Sequence, residues 1–310
     1  MTGPLVVTGG TGLLGSAIRQ AFPQAVFLSS IDGDLRDIGV AYRIFTELRP
    51  SKVVHLAARV GGVKENATHN VAFFEDNALI NAAVLSAARR ARVPKLISLL
   101  SSCAFPLFAE RSTKENDLHS SAPCQGNEGY GYAKRMLDVH TCLVAREEGL
   151  DWSTLTPVTM YGPHDSFDAE SGHVVGSLIR RCWEAKSHGV PFNVWGSGQA
   201  VRQFVFVRDV AQVILERLER VHGSSATIII APDDGRTIKS LAESIARTMN
   251  YTGPIQFDPR QPEGVLVKRV CSTEFSAQFP NFRFTPLHTG LSETVQWFVS
   301  HCEPSLCRSA

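Results

Sequence analysis

The first half of the chain alternates short apolar runs with longer stretches that mix apolar and polar positions. The apolar runs are rich in Val, Ile and Leu, and they predict strands at residues 5–8, 25–29, 52–56, 95–100 and 152–155. The mixed stretches between them favour helices. Strands that alternate with helices in this way are typical of a parallel sheet with helices on both faces. We therefore predict an α/β fold with a doubly wound parallel sheet.

The second half of the chain departs from this alternation after Gly162, where Gly, Pro, His and Asp become frequent. The pattern then predicts a helix at 173–186, a strand at 192–195 and a helix at 207–220. We interpret this as a smaller lobe interleaved with returns to the sheet. The predicted boundaries are 1–165 for the sheet domain, with a return at about 200–231, and 166–199 with 232–310 for the smaller lobe.

Two predicted helices, at 68–92 and 132–148, are apolar on more than one face. A helix that is apolar beyond a single stripe needs a second burial partner besides the sheet. Two such helices, paired with their copies across a two-fold axis, would form a four-helix bundle. We therefore predict a homodimer.

Composition narrows the range of partners. The 31 basic and 30 acidic residues give a net charge of +1, and no block of like charges indicates a nucleic-acid or membrane partner. The N-terminus lacks the features of a signal peptide, and no uninterrupted apolar run approaches about 18 residues. The seven cysteines show neither a CxxC pair nor the spacing of a metal site. We expect a soluble, cytoplasmic protein with reduced thiols and no metal.

A glycine-rich loop follows the first predicted strand. The sequence GGTGLLG places Gly9, Gly12 and Gly15 between that strand and a predicted helix. Glycines at these positions allow a tight turn and close approach of the backbone to a pyrophosphate, which the N-terminus of the helix attracts. The loop predicts a Rossmann-type dinucleotide-binding domain at 1–165, although a turn without a ligand would also accommodate the glycines.

The end of the second predicted strand indicates which dinucleotide binds. Enzymes that prefer NAD usually carry a carboxylate there, whereas this chain continues from Leu28 into Ser29 and Ser30. No acid would repel a 2′-phosphate, so we predict NADP(H). Arg36, expected at the start of a helix, is the nearest arginine. Asp34 and Leu35 are expected beside the adenine, with a helix N-cap as the alternative role of Asp34.

A tyrosine and a lysine have the spacing of a proton-transfer pair. Tyr130 and Lys134 lie one turn apart on one face of a predicted helix, whereas Tyr132 lies on another face. An ammonium beside a phenol is expected to lower the pKa of the phenol toward neutrality. Ser101 ends a predicted strand, where its hydroxyl would reach a carbonyl oxygen next to Tyr130.

Several motifs in order along nearly the whole chain carry a family resemblance. They are SSCAFP, VGG, GYGYAKRMLDVH, YGPHDSF, HVVGSLIRR, VWGSG and FRFTPL. With them the chain resembles the GDP-L-fucose synthase family of extended short-chain dehydrogenases/reductases. The resemblance implies a catalytic set made of Ser101, Cys103, Tyr130, Lys134 and His173.

The resemblance also implies the reaction. A GDP-4-keto-6-deoxy-D-mannose would be epimerised at carbons 3 and 5, with Cys103 removing protons and His173 returning them, and NADPH would then reduce carbon 4. The implied cofactor contacts are Gly9, Gly12, Leu13, Leu14, Gly15, Asp34, Leu35, Ala57, Ala58, Tyr130, Lys134, Pro157 and His173. The implied GDP-sugar contacts are Val60, Gly61, Arg181, Trp195, Arg202 and Lys268.

Purely structural roles remain open for several of these residues. Cys103 would also suit a small buried position, and His173 or Ser101 a cap. Arg181 would also suit the surface of a helix. Two further functions remain open as well, namely another nucleotide-sugar epimerase or dehydratase with resident NAD, and a catalytically silent NADP(H)-binding regulator.

Overall fold

The computed structural model describes residues 3–108, 111–124, 126–220, 227–261 and 263–302. The strands are β1 Leu5–Thr8, β2 Val26–Leu28, β3 Lys52–His55, β4 Lys95–Leu99, β5 Asp151–Pro157, β6 Thr159–Tyr161, β7 Phe192–Trp195, β8 Val201–Arg202, β9 Phe204–Phe206, β10 Ile228–Ile230, β11 Arg236–Thr237 and β12 Ile255–Asp258. The α-helices are α1 Leu13–Ala21, α2 Ile38–Leu48, α3 Val63–Thr68, α4 Asn70–Arg90, α5 Glu128–Glu148, α6 Val174–His188, α7 Val207–Glu219, α8 Ile238–Thr248, α9 Thr273–Gln278 and α10 Leu287–His301.

Six strands form the main sheet in the order β10-β5-β4-β3-β1-β2, and each neighbouring pair is parallel. The register places Thr8 opposite His55 and Leu99 opposite Leu155. The predicted doubly wound parallel sheet is therefore confirmed. Strand order reverses beside β1, because the chain leaves β1 toward β2 and then returns to β3 on its other side. Such a reversal opens a crevice at the carboxyl ends of the strands.

The helices cover both faces of this sheet. Helices α2, α4 and α5 pack together, and α1 packs with α7. Right-handed crossovers place these two groups on opposite faces, because the β1-to-β2 and β3-to-β4 connections run in opposite directions. Helix α4 is long and apolar enough, by length and composition, to cross a membrane, and 44% of its most apolar window is buried in the fold. Core helices of soluble proteins commonly share these properties.

Two clusters of buried side chains form the core. The larger cluster surrounds the main sheet and includes Trp152 and Phe45, and Phe275 and Phe279 from the C-terminal part of the chain also belong to it. The smaller cluster joins α6, α8 and α10 to β7 and β9, with Phe298 fully buried at its centre. The chain thus carries a second packed unit that faces the carboxyl ends of the main strands.

Candidate active site

A cavity of about 1020 Å³ lies at the carboxyl ends of β1 to β5. This volume is at the upper end of the range for small-molecule sites. Every residue named above for catalysis, for the cofactor or for the GDP-sugar lines the cavity. The structure thus brings together residues from position 9 to position 268 in one space, although their individual roles remain predictions.

The glycine loop at one end of the cavity fits a dinucleotide. Gly9 has a φ of +71°, a conformation that side chains with a Cβ rarely adopt. A Cβ on Gly15 would lie 2.5 Å from the carbonyl oxygen of Gly9, so only glycine allows α1 to pack this closely. Gly12 caps α1 without a side-chain bond, which leaves backbone N–H groups available for a phosphate.

Two arginines and two carboxylates surround the predicted adenosine end of the cavity. Arg36 binds Asp34 through Nη2 at 2.7 Å and Asp76 through Nη1 at 2.9 Å, and Arg59 binds Asp76 at 2.8 Å. Asp34 is not a helix N-cap, since Asp37 caps α2. Arg36 comes before this N-cap and lies outside α2, so the expectation that it would lie at the start of a helix is wrong. The four charges sum to zero, which weakens the attraction of Arg36 for a 2′-phosphate.

The Tyr130 and Lys134 side chains meet on one face of α5. The Nζ of Lys134 is 5.7 Å from the centre of the Tyr130 ring and donates to the Leu99 carbonyl at 2.8 Å. Burial lowers the pKa of Lys134 to about 8. Burial and the neighbouring Cys103 raise the pKa of Tyr130, and a hydrogen bond with Ser101 offsets this only in part. The expected lowering of the Tyr130 pKa is therefore wrong, since desolvation of the phenolate dominates.

Cys103 follows β4 in a short 3₁₀ helix, Ser102–Ala104, whose N-cap is Ser101. The Ser101 hydroxyl accepts the backbone N–H of Cys103 at 3.2 Å. The Nζ of Lys268 lies 3.5 Å from the Cys103 sulfur, and the Nδ2 of Asn127 lies 3.8 Å from it. The thiol thus faces two hydrogen-bond donors, an arrangement that its alternative role as a small packing residue does not require.

His173 occupies the N-cap position of α6, but its side chain makes no capping bond. Its Nδ1 instead lies 3.1 Å from Oδ1 of Asp165. The Asp165 side chain is 1% exposed, and within the described residues its Oδ2 has no hydrogen-bond partner. The hydrogen bond with Asp165 raises the pKa of His173 despite the opposing effect of burial. Asp165 therefore favours the protonated imidazole more than an environment without this carboxylate would.

Two arginines form a cationic wall at the far end of the cavity. The guanidinium of Arg181 lies 3.8 Å above the centre of the Trp195 ring, and its Nε donates to the Ala169 carbonyl. Burial lowers the pKa of Arg181 and of Arg202. Within the parts of the chain that the structure describes, neither arginine forms an ion pair. Partly buried cations without an ion pair suit a diphosphate.

Sequence reasoning did not identify Asp165 or Asn127. Both lie near predicted catalytic residues in the sequence, since Asp165 precedes His173 by eight positions and Asn127 precedes Tyr130 by three. The Oδ1 of Asn127 is buried and has no partner among the described residues. The sequence offered one signal for both: each is a polar residue in an irregular segment close to a predicted catalytic residue.

Comparisons with known proteins agree with this geometry. The NAD dependent epimerase/dehydratase family matches residues 5–231. A GDP-L-fucose synthase of Dictyostelium discoideum is 32% identical over 96% of both chains, and one of Escherichia coli is 31% identical over 95% of this chain and 96% of its own. A solved GDP-L-fucose synthetase of Naegleria fowleri, bound to NADP, is 35% identical with a TM-score of 0.90, covering 98% of this chain and 97% of that one.

Proposed function

The chain belongs to the GDP-L-fucose synthase family, and we propose that it converts GDP-4-keto-6-deoxy-D-mannose to GDP-L-fucose with NADPH. The reaction has two parts, epimerisation at carbons 3 and 5 and reduction of the ketone at carbon 4. One observation carries this proposal: the cavity holds a thiol beside an ammonium and an imidazole beside a carboxylate. A thiol and an imidazole with these neighbours can serve as the base and the acid of one reaction.

Epimerisation needs both groups. The ketone acidifies the protons on the two flanking carbons, so a thiolate at Cys103 can remove them and leave an enolate. The hydroxyls of Ser101 and Tyr130 stabilise the enolate oxygen by hydrogen bonding. His173, whose protonated form the bond with Asp165 favours, returns a proton from the opposite side and so inverts each centre.

Reduction uses the part of the site on β4 and α5. The bound NADPH supplies the hydride for carbon 4. Tyr130 gives its proton to the developing alkoxide, and a phenol that burial keeps protonated is ready for this step. Lys134, anchored on the Leu99 carbonyl, is positioned to hold the nicotinamide ribose and to stabilise the phenolate that forms.

The GDP half of the substrate is assigned to the smaller lobe, at 166–199 and 232–310. Arg181 of this lobe, together with Arg202 on β8 just outside these bounds, would bind the diphosphate, and the Trp195 ring would provide an apolar wall. Binding of the remote GDP moiety would fix the sugar between Cys103 and His173.

The direct test is product analysis. Purified protein is incubated with GDP-4-keto-6-deoxy-D-mannose and NADPH, and the nucleotide sugar is identified by NMR. We expect GDP-L-fucose. A GDP-6-deoxyhexose with unchanged configuration at carbons 3 and 5 would remove the epimerase part, and absence of any NADPH-dependent product would remove the whole proposal.

We further propose that the enzyme is a homodimer. Helices α4 and α5 pack side by side and expose apolar side chains along both. These are Val71, Phe74, Leu79, Tyr132, Met136, Val139 and Leu143. In two copies they would pair as a four-helix bundle. Light scattering at micromolar concentration should give a dimer. Met136→Glu should weaken it, whereas Val190→Glu should not, although Met136 and Val190 are 50% and 48% exposed.

We place the enzyme in the cytoplasm. Its seven cysteines are scattered along the sequence without a CxxC pair, a pattern more typical of a reducing compartment than of a disulfide framework. Cell fractionation with an antibody to the protein tests this placement, and recovery with a membrane or secreted fraction would contradict it.

A further inference from the structure

Lys268 is in contact with Cys103, although the resemblance implied only a GDP-sugar contact for it. The 3.5 Å distance joins its Nζ to the sulfur, and Asn127 provides a second donor to the same atom at 3.8 Å. An ammonium has three donors and no acceptor, so this contact favours sulfur as an acceptor with negative charge.

The backbone of Lys268 is fixed in place. Its N–H donates to the Val201 carbonyl at 3.1 Å, and the Val201 N–H donates to the Leu266 carbonyl at 2.7 Å. Two residues further along, Val270 forms a bridge with Thr113. The segment that carries Lys268 is thus held between two neighbours. These backbone contacts hold the Lys268 side chain within reach of Cys103.

We propose that Lys268 is a positioning residue that keeps Cys103 in its thiolate form before any substrate binds. In this role Lys268 maintains Cys103 in the form that acts as the base, and it does more than contact the diphosphate. This inference deepens the proposed function and rests on it for the role of the thiolate in proton removal. The charge state of the sulfur itself can be measured without substrate.

Other charged and titratable groups also act on the sulfur. Those that face it are Lys268, Arg202, Cys124, Tyr130 and His173. Burial raises the pKa of Cys103, but Lys268, the Ser101 hydrogen bond and Arg202 together bring the pKa of the thiol below its ordinary value. Lys268 is the cation in direct contact with the sulfur, so its removal should have the largest effect.

The test is the pH dependence of alkylation. The protein without substrate is treated with iodoacetamide, and modification of Cys103 is followed by mass spectrometry of its peptide. In Lys268→Met the midpoint of the rate profile should move to higher pH. For each tenfold loss of thiolate, the rate at neutral pH should fall about three- to fourfold, because a more basic thiolate is also more nucleophilic.

Two variants control for charge and for folding. Lys268→Arg keeps the charge and should retain the low midpoint, whereas Lys114→Met removes an exposed lysine and should change nothing. If Lys268→Met is unstable, Lys268→Gln serves as a second neutral variant, with NADPH binding as the check of folding. A profile of the neutral variant that coincides with wild type overturns the proposal, as does an equal shift in Lys268→Arg.

Measurements with substrate then separate the two roles of Lys268. If it only bound the diphosphate, the neutral variant would raise KM and leave kcat and the alkylation profile unchanged. The proposal instead expects kcat for deuterium exchange at carbons 3 and 5 to fall. A shifted alkylation profile without GDP-L-fucose formation in wild type would leave the thiolate assignment standing and refute the proposed function alone.

Discussion

Replacing Asp165 by Asn tests whether His173 is the acid that completes epimerisation. In the wild-type protein the Ser166 N–H donates to Oδ1 of Asp165 at 2.8 Å. The substitution keeps an oxygen acceptor for this N–H and removes the negative charge beside the imidazole. Asp165 raises the pKa of His173, so its loss lowers that pKa. In the variant, the protonated fraction of His173 is therefore smaller at pH values above its pKa. At low pH, His173 stays fully protonated in both proteins.

The size of the effect follows from one charged hydrogen bond. Such bonds contribute about 1.5–3 kcal/mol. The His173 side chain is 39% exposed, so solvent screening weakens this hydrogen bond. We therefore expect a contribution of about 1.4 kcal/mol, just below the range for charged hydrogen bonds. That energy corresponds to about a tenfold change in an equilibrium constant. We expect exchange on the alkaline side to fall about tenfold in Asp165→Asn.

The assay is deuterium incorporation at carbons 3 and 5, measured by NMR across a pH series in heavy water without NADPH. Asp168→Asn is the matched control, because Asp168 lies in the same loop but binds Glu170 and Ser171 rather than His173. An alkaline limb that superimposes on wild type would falsify the assignment of the acid. A uniform loss at every pH would reduce Asp165 to a structural role.

Three further predictions concern the remaining groups of the site. Cys103→Ala should incorporate no deuterium at carbons 3 and 5 without NADPH, and exchange at the wild-type rate would make Cys103 a packing residue. Tyr130→Phe should lower ketone reduction by about 10²- to 10⁴-fold, followed by NADPH absorbance, while Tyr132→Phe should leave it unchanged. Since Ser29 and Ser30 directly follow Leu28, kcat/KM should be higher with NADPH than with NADH, although the Asp32 carboxylate, which accepts the Ser29 N–H at 2.8 Å, reduces the advantage expected from the absence of an acid there. Equal values would contradict this, although the neutralised Arg36 limits the preference.

Local patterns predicted the parts of the fold that depend on near neighbours. The strand predicted at 192–195 coincides with β7, and the helix predicted at 207–220 matches α7 to within one residue. Strand β5 extends beyond its predicted 152–155 at both ends, because Asp151 pairs with Lys95 of β4 and Pro157 pairs with Ile230 of β10 at the edge of the sheet. The pairing of β5 with β10 is a long-range contact that no local window contains.

The charges of the site could not be predicted in the same way. Lys268 and Cys103 are 165 positions apart, and only the fold makes them neighbours. The YxxxK spacing places Tyr130 and Lys134 together correctly, but the pKa of the phenol depends on burial that the spacing does not contain. Spacing thus predicts which groups meet, whereas their protonation depends on the surrounding packing.

The two packed units contribute unequally to the two proposed reactions. Of the reducing groups, Ser101 follows β4, and Tyr130 and Lys134 lie in α5, which packs on the main sheet. His173 instead begins a helix of the smaller cluster. Loss of the His173 side chain would therefore leave Ser101, Tyr130 and Lys134, the groups assigned to ketone reduction, in place. A single substitution in the smaller unit would thus separate the two proposed reactions within one protein.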